Sequence, residues 1–132
     1  MKIHGIRLKK GDDLFLSIDR LCREKDIAAG VILSGVGCVT KGKIRDASGV
    51  TVKEIDEPME IVSLTGTCSL KRSHVHISFA KEDLSVIGGH LVEGTLINTT
   101  CELVIGELED MCYDVEYDEK TGYDELIFKS SP

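Results

Sequence analysis

Apolar and polar residues alternate along this chain in short pieces, with one exception near the amino terminus. Between residues 13 and 25 the apolar residues recur at i, i+4, i+7 and i+8, which is the spacing of one face of an α-helix. These positions are Leu14, Ile18, Leu21 and Cys22. Asp12 precedes the segment and is predicted to be its N-cap. Such a helix is stable only when its apolar face packs on another element.

The remaining pieces have the length and alternation of β-strands. A first strand is predicted at residues 2–8, before the helix. The later strands are predicted near residues 29–39, 41–47, 50–55, 59–67, 73–79, 84–92, 95–106, 110–117 and 123–128. Their short links favour antiparallel neighbours, because parallel strands need a long crossover, and Glu93-Gly94 is predicted to be a two-residue hairpin turn.

No repeat, linker or low-complexity segment divides the 132 residues. The predicted fold class is therefore α/β (α+β), a mostly antiparallel β-sheet with one principal amphipathic helix packed on it. A single domain is expected to fill residues 1–132.

Charge and composition narrow the range of functions. Sixteen basic and 23 acidic residues give a net charge of -7, and residues 107–125 hold nine acidic residues against Lys120 alone. Such a surface repels phosphate, so direct nucleic-acid binding is disfavoured.

Hydropathy and cysteine usage indicate the compartment. No apolar run approaches the roughly 20 residues that span a bilayer, and the first residues lack the pattern of a secretion signal. The five cysteines are an odd number without a Cys-x-x-Cys pair, which favours reduced thiols. We expect a cytoplasmic protein with no membrane segment.

Three of the four histidines fall within seventeen positions, at His74, His76 and His90. Alternate residues of a strand share a face and lie roughly 7 Å apart, so His74 and His76 can approach one ion. If Lys81-Glu82-Asp83 is a three-residue turn, antiparallel pairing places His90 on that same face.

This register also predicts that the apolar residues of both strands face the other way. They are Val75, Ile77, Phe79 and Ile87. It sets Gly88 opposite His76, which would leave open space beside that imidazole. A turn of two or four residues would instead carry His90 to the opposite face.

Three neutral imidazoles with an open fourth position are typical of a catalytic divalent metal site, and zinc is the first candidate. The alternative is a set of surface or interface histidines that bind no metal. Glu102, a carboxylate in the apolar strand from Thr100 to Ile105, is a candidate catalytic residue that could accept a proton from a metal-bound water. It could equally be a solvated carboxylate or one at a subunit interface.

Several blocks of the chain resemble one known family. They are Leu64-Thr65-Gly66-Thr67, His74-Val75-His76-Ile77-Ser78, Gly88-Gly89-His90-Leu91-Val92-Glu93-Gly94 and Thr100-Cys101-Glu102-Leu103-Val104-Ile105. Together with Leu33-Ser34-Gly35-Val36-Gly37 they are similar to the plant-and-prokaryote-conserved (PPC) domain. The resemblance implies a compact antiparallel domain that forms a homotrimer, a metal site at the three histidines, and a family label of DNA binding.

Two functions follow as hypotheses. The first is a homotrimeric PPC-domain protein with a divalent metal, zinc or a similar ion, at His74, His76 and His90, which binds a small ligand and could be hydrolytic. The second is a non-catalytic regulatory or DNA-associated protein that acts through trimerisation and protein partners. Plant relatives carry a basic AT-hook, and this chain has no such tetrapeptide.

Overall fold

The computed structural model describes residues 1–132 as one helix and nine strands. In chain order these are β1 (Lys2–Lys9), α1 (Leu14–Glu24), β2 (Gly30–Arg45), β3 (Val52–Ile55), β4 (Met59–Cys68), β5 (Ser73–Ala80), β6 (Val86–Leu91), β7 (Leu96–Glu107), β8 (Met111–Asp118) and β9 (Tyr123–Ser130). All strand pairs are antiparallel. The expected fold class, a mostly antiparallel sheet with one principal helix, is confirmed.

The main sheet has seven strands in the order β1-β7-β2-β4-β5-β6, and β3 also pairs with β2. Its path closes on itself because β6 pairs with β5 and also with the end of β2. The predicted break between residues 39 and 41 does not occur, since β2 is one strand of 16 residues. The pairing of β2 with β7 shifts register at several points, one of them between Val39 and Lys41. Such irregularities let the strand continue past the polar residues that suggested a break.

The helix packs its apolar face into a core cluster of 21 residues. Leu14, Ile18 and Cys22 are each fully buried there. The N-cap is Asp13, whose carboxylate accepts a hydrogen bond from the backbone N–H of Leu16 at 3.0 Å. The prediction of Asp12 as the cap is wrong, because its carboxylate instead accepts from the backbone N–H of Lys9 in the turn after β1.

The predicted hairpin at Glu93-Gly94 is also wrong, because β6 and β7 do not pair with each other. The link between them is held by other elements. The N–H of Gly94 donates to Asp13 at 2.8 Å, and the buried hydroxyl of Thr95 bonds the backbone N–H and C=O of Lys43. These bonds draw the chain from β6 across to the start of the helix.

The strands β8 and β9 form a separate two-stranded sheet. The hydroxyl of Tyr113 donates to the carbonyl of Gly30 at 3.1 Å, which ties this hairpin to the start of β2. All five cysteines are free thiols. No helix of the fold has both the length and the apolar character needed for a bilayer crossing.

Candidate metal site

Two neighbouring strands present three histidines on one face of the sheet. His74 and His76 lie on β5, and His90 lies directly opposite His76 on β6. On β5 the neighbouring residues Val75 and Ile77 belong to the core cluster, where both are buried. The face reversal from one residue to the next follows from the pleat of the strand, so burial of the apolar residues holds the imidazoles on the outer side.

The register differs from the predicted one by two residues. The turn between β5 and β6 comprises residues 81–85, five rather than three, because Leu84 adopts a left-handed conformation with φ 70° and β6 begins at Val86. An odd number of turn residues keeps His90 on the predicted face. The prediction that Gly88 lies opposite His76 is wrong, since Gly88 lies opposite Ser78.

The three imidazoles lie close enough to share one ion. One ligating nitrogen from each ring lies within 4.8 Å of those of the other two, and the ring centroids are 5.1, 5.2 and 5.6 Å apart. Nitrogens about 2.0–2.1 Å from a tetrahedral zinc ion would be about 3.3 Å apart. Side-chain rotations that close the rings by roughly 1.5 Å would therefore complete a three-nitrogen donor set.

The surroundings of His74 and His90 favour the neutral form of these two imidazoles. Burial lowers the pKa of His90 from its usual 6.5 to about 4, with a further contribution from the neighbouring Arg45 guanidinium. Burial is also the main cause that lowers the pKa of His74, and the charge of His76 is the second. Neutral imidazole is the form that offers a lone pair to a metal, so the rings of His74 and His90 are prepared as ligands at neutral pH.

Open space adjoins the histidines on two sides. One cavity of about 470 Å³ is bordered by His76, His90 and Arg45. A second, of about 550 Å³, is bordered by His74, His90 and Arg45 on one side and by the β8–β9 hairpin on the other. Most of the residues that border the two cavities have polar or charged side chains, so hydrogen-bonding groups are available to a small ligand there.

Ion pairs and a hydrogen bond hold the hairpin in place beside the second cavity. Asp114 binds Lys71 at 2.7 Å and Lys129 at 2.9 Å, and these two lysines lower the pKa of its carboxyl. Arg72, just before β5, donates to the backbone carbonyl of Asp124 at 2.8 Å. Glu125 consequently borders the cavity, and its charge slightly opposes the lowering of the His74 pKa.

Glu102 lies elsewhere. It is exposed on β7, opposite Arg7 of β1 and Val36 of β2, and neither cavity beside the histidines includes it. Sequence reasoning missed Arg45 and Glu125, which border the histidine cavities. No local signal marks them, because β2 and the hairpin reach the histidines only through long-range pairing.

These features define a class of protein, a small antiparallel β-domain with a surface cluster of three histidines. Residues 1–109 match the family model of the Plants and Prokaryotes Conserved (PCC) domain. This is the same family as the plant-and-prokaryote-conserved (PPC) domain that the sequence resembles. The chain belongs to this family. A bifunctional protein GlmU from Synechococcus sp. (strain JA-2-3B'a(2-13)) is 34% identical over 126 residues, which cover 96% of this chain. The chain spans about a fifth of that relative's length, 20%.

Solved structures share the fold. A hypothetical protein from Salmonella cholerae-suis is 29% identical with a TM-score of 0.95, covering 98% of this chain and 94% of the other. A metal-containing protein from Archaeoglobus fulgidus is 30% identical with a TM-score of 0.77, covering 96% and 94%. A candidate DNA-binding protein from Bacteroides thetaiotaomicron, 23% identical with a TM-score of 0.84 and covering 96% and 91%, shows the likeness of fold alone.

Proposed function

We propose that this chain is a PPC-domain protein that binds one divalent metal ion through His74, His76 and His90 and offers its open coordination position to a small ligand. The observation that carries the proposal is the approach of three imidazole nitrogens to within 4.8 Å on one outer face. Similarity to the metal-containing Archaeoglobus protein supports it. Zinc is the first candidate, because three neutral imidazoles suit it well.

The chemistry available at such a site includes hydrolysis. A divalent ion held by three imidazoles would polarise a carbonyl ligand or lower the pKa of a bound water. In this chain the histidines supply the donor nitrogens, and the two cavities beside them admit the ligand. Glu102 remains a predicted catalytic residue, and substitution by Gln tests it: a loss of turnover with unchanged metal content would support the role.

Metal analysis of purified protein tests the proposal directly. Protein prepared without a chelator or a nickel column should contain about one equivalent of metal after supplementation with Zn²⁺, and His76→Ala should contain less than about a fifth of that. His4→Gln is the matched control, because His4 lies on β1 and contacts Glu107 at 2.8 Å. Metal-free wild-type protein, or equal metal in His76→Ala, would contradict the proposal.

We also propose that the protein assembles as a homotrimer. In the single chain Ile3, Val36 and Val62 are each more than half exposed, on β1, β2 and β4. Exposed apolar side chains on sheet strands are stabilised when a second copy covers them. Sedimentation equilibrium should return three times the 14.5 kDa chain mass, and a monomer at micromolar concentration would contradict assembly.

A second candidate function is regulatory, through protein partners or DNA, and likeness of fold to the candidate DNA-binding protein favours it. The net charge of -7 argues against direct contact with DNA. A mobility shift at about 0.15 M salt would support DNA binding, and a partner captured equally by His90→Ala would support the regulatory role. Five free thiols are consistent with the cytoplasm as its location.

A further inference from the structure

Arg45 stands beside the histidines with part of its hydrogen-bonding capacity unused. It is the last residue of β2 and lies opposite His90 of β6. Its Nη2 lies 3.3 Å from Nδ1 of His90, while its Nε is buried and has no hydrogen-bond partner. A buried donor without a partner is costly, so a ligand that supplied an acceptor to this guanidinium would remove a cost that the chain itself leaves.

The other cations of the second cavity are already engaged. Lys71 is paired with Asp114, and Arg72 donates to the carbonyl of Asp124. Arg45 is also the only arginine or lysine that borders both cavities beside the histidines. It is therefore the cation best placed to bind a ligand that enters from either side.

The contact between Arg45 and His90 is incompatible with a metal at His90. A guanidinium can only donate hydrogen bonds, so Nδ1 of His90 accepts and carries no proton. If a metal binds Nδ1, it displaces Arg45. If it binds Nε2, the neutral ring carries its proton on Nδ1, which then cannot accept from Arg45. Metal binding by either nitrogen releases the guanidinium.

We propose that Arg45 is the ligand-recognition residue of this site, and that its released guanidinium binds a small carboxylate at the open coordination position of the metal. The inference rests on the proposed metal-binding function. A planar guanidinium matches a carboxylate through two parallel hydrogen bonds. Metal and carboxylate then reinforce each other, because the metal frees Arg45 from His90 and the carboxylate supplies the acceptor that its Nε lacks.

The acidic residues of the hairpin limit the charge of the ligand. Asp124 and Glu125 border the same cavity as Arg45, and like charges repel strongly where water is partly excluded. These two carboxylates offset the charges of Arg45 and Arg72, and Asp114 offsets the charge of Lys71. The side chains around the cavity therefore carry little net positive charge, which favours a monoanion over a multiply charged phosphate. We therefore infer monocarboxylates as the ligand class.

The experiment uses Co²⁺ in place of the native ion, because its visible spectrum reports changes at the open position. Acetate and, separately, inorganic phosphate are titrated into the full-length Co²⁺ protein. Acetate should change the spectrum of the wild type, and Arg45→Gln should weaken acetate binding at least about tenfold. Arg45→Lys should retain part of the binding, since it keeps the charge without the planar fork.

Metal affinity provides a second readout. If Arg45 had a purely structural role, its substitution would weaken Co²⁺ binding. Without acetate, Arg45→Gln should bind Co²⁺ at least as tightly as the wild type, because the competing contact to His90 is gone. Arg7→Gln is the matched control, since Arg7 lies on β1 and borders neither cavity beside the histidines, and it should leave both affinities unchanged. Circular dichroism verifies the fold of each variant.

The outcomes separate the two proposals. If the wild type binds no Co²⁺, both the metal site and the role of Arg45 are wrong. If Co²⁺ binds through the histidines but acetate binds wild type and Arg45→Gln equally, only the role of Arg45 is overturned. Phosphate binding that is tighter than acetate binding and equally dependent on Arg45 would overturn the assignment to monocarboxylates.

Discussion

Close packing of β4 against β5 makes Gly66 a sensitive position for both stability and the histidine site. Gly66 lies opposite Val75, the residue between His74 and His76. A methyl group at Gly66 would lie 2.8 Å from the Cα of Val75 and closer still to the carbonyl oxygen of His74. We predict that Gly66→Ala destabilises the protein and displaces the two histidines relative to His90.

The magnitude follows from this geometry. Ordinary Cβ contacts begin near 3.4 Å, so the contact with Val75 alone requires the two strands to part by about 0.6 Å, and the contact with the His74 carbonyl oxygen requires more. Overpacking of this kind costs typically about 1–3 kcal/mol, and the smaller unfolded-state entropy of Ala offsets about 0.4–1 kcal/mol of it. A net loss of about 1–2 kcal/mol in the free energy of unfolding is expected.

Urea unfolding measures this loss, and Gly5→Ala provides the control. A Cβ at Gly5 meets nothing within 4 Å, so that variant should be neutral or slightly more stable. Zn²⁺ affinity, measured on the same samples, should fall for Gly66→Ala and stay constant for Gly5→Ala. If the two variants unfold at the same urea concentration, the argument from strand spacing is refuted. One cooperative transition in each would support a single domain over residues 1–132.

Three other predictions concern the hairpin, the helix and pH. Tyr113→Phe removes the bond to the carbonyl of Gly30 and should lower the free energy of unfolding by about 1–2 kcal/mol in urea; an unchanged midpoint would contradict the anchoring role. Asp13→Ala removes acceptors for Leu16 and Gly94 and should cost about 1 kcal/mol or more, with Asn restoring part of it. Because the folded-state pKa of His90 is about 4 against 6.5, its contribution to stability is present above pH 6.5. Since the unfolded chain binds the proton first, that contribution is lost as pH falls from 6.5 toward 4. Urea midpoints of chelator-treated protein should show this decline, and His90→Gln should reduce it; an identical decline in the variant would count against the assignment.

Much of the histidine site was predictable, because the face that His90 takes depends only on whether the number of turn residues is odd or even. Strand alternation places His74 and His76 together, and any odd-numbered turn brings His90 to their face. The left-handed conformation of Leu84, which lengthens the turn to five residues, has no signature in the sequence, since leucine rarely adopts it. The exact pairing partner of His76 was therefore mispredicted while the shared face was correct.

Long-range pairing set the limit of sequence reasoning. Glu93-Gly94 resembles a hairpin turn, yet bonds from Asp13 and Lys43 hold the link between β6 and β7. These contacts allow β6 to pair with the end of β2, which brings Arg45 opposite His90. Local patterns describe strands and turns, whereas the neighbours of a site depend on how a sheet closes.

The anchored β8–β9 hairpin lies beyond residue 109, where the match to the family model ends. It nevertheless borders the cavity next to His74 and His90. Substitutions on the cavity side of the hairpin would therefore change what the histidines face without altering the strands that carry them. Related proteins could keep the same histidine-bearing strands and acquire a different ligand selectivity through changes in the hairpin alone.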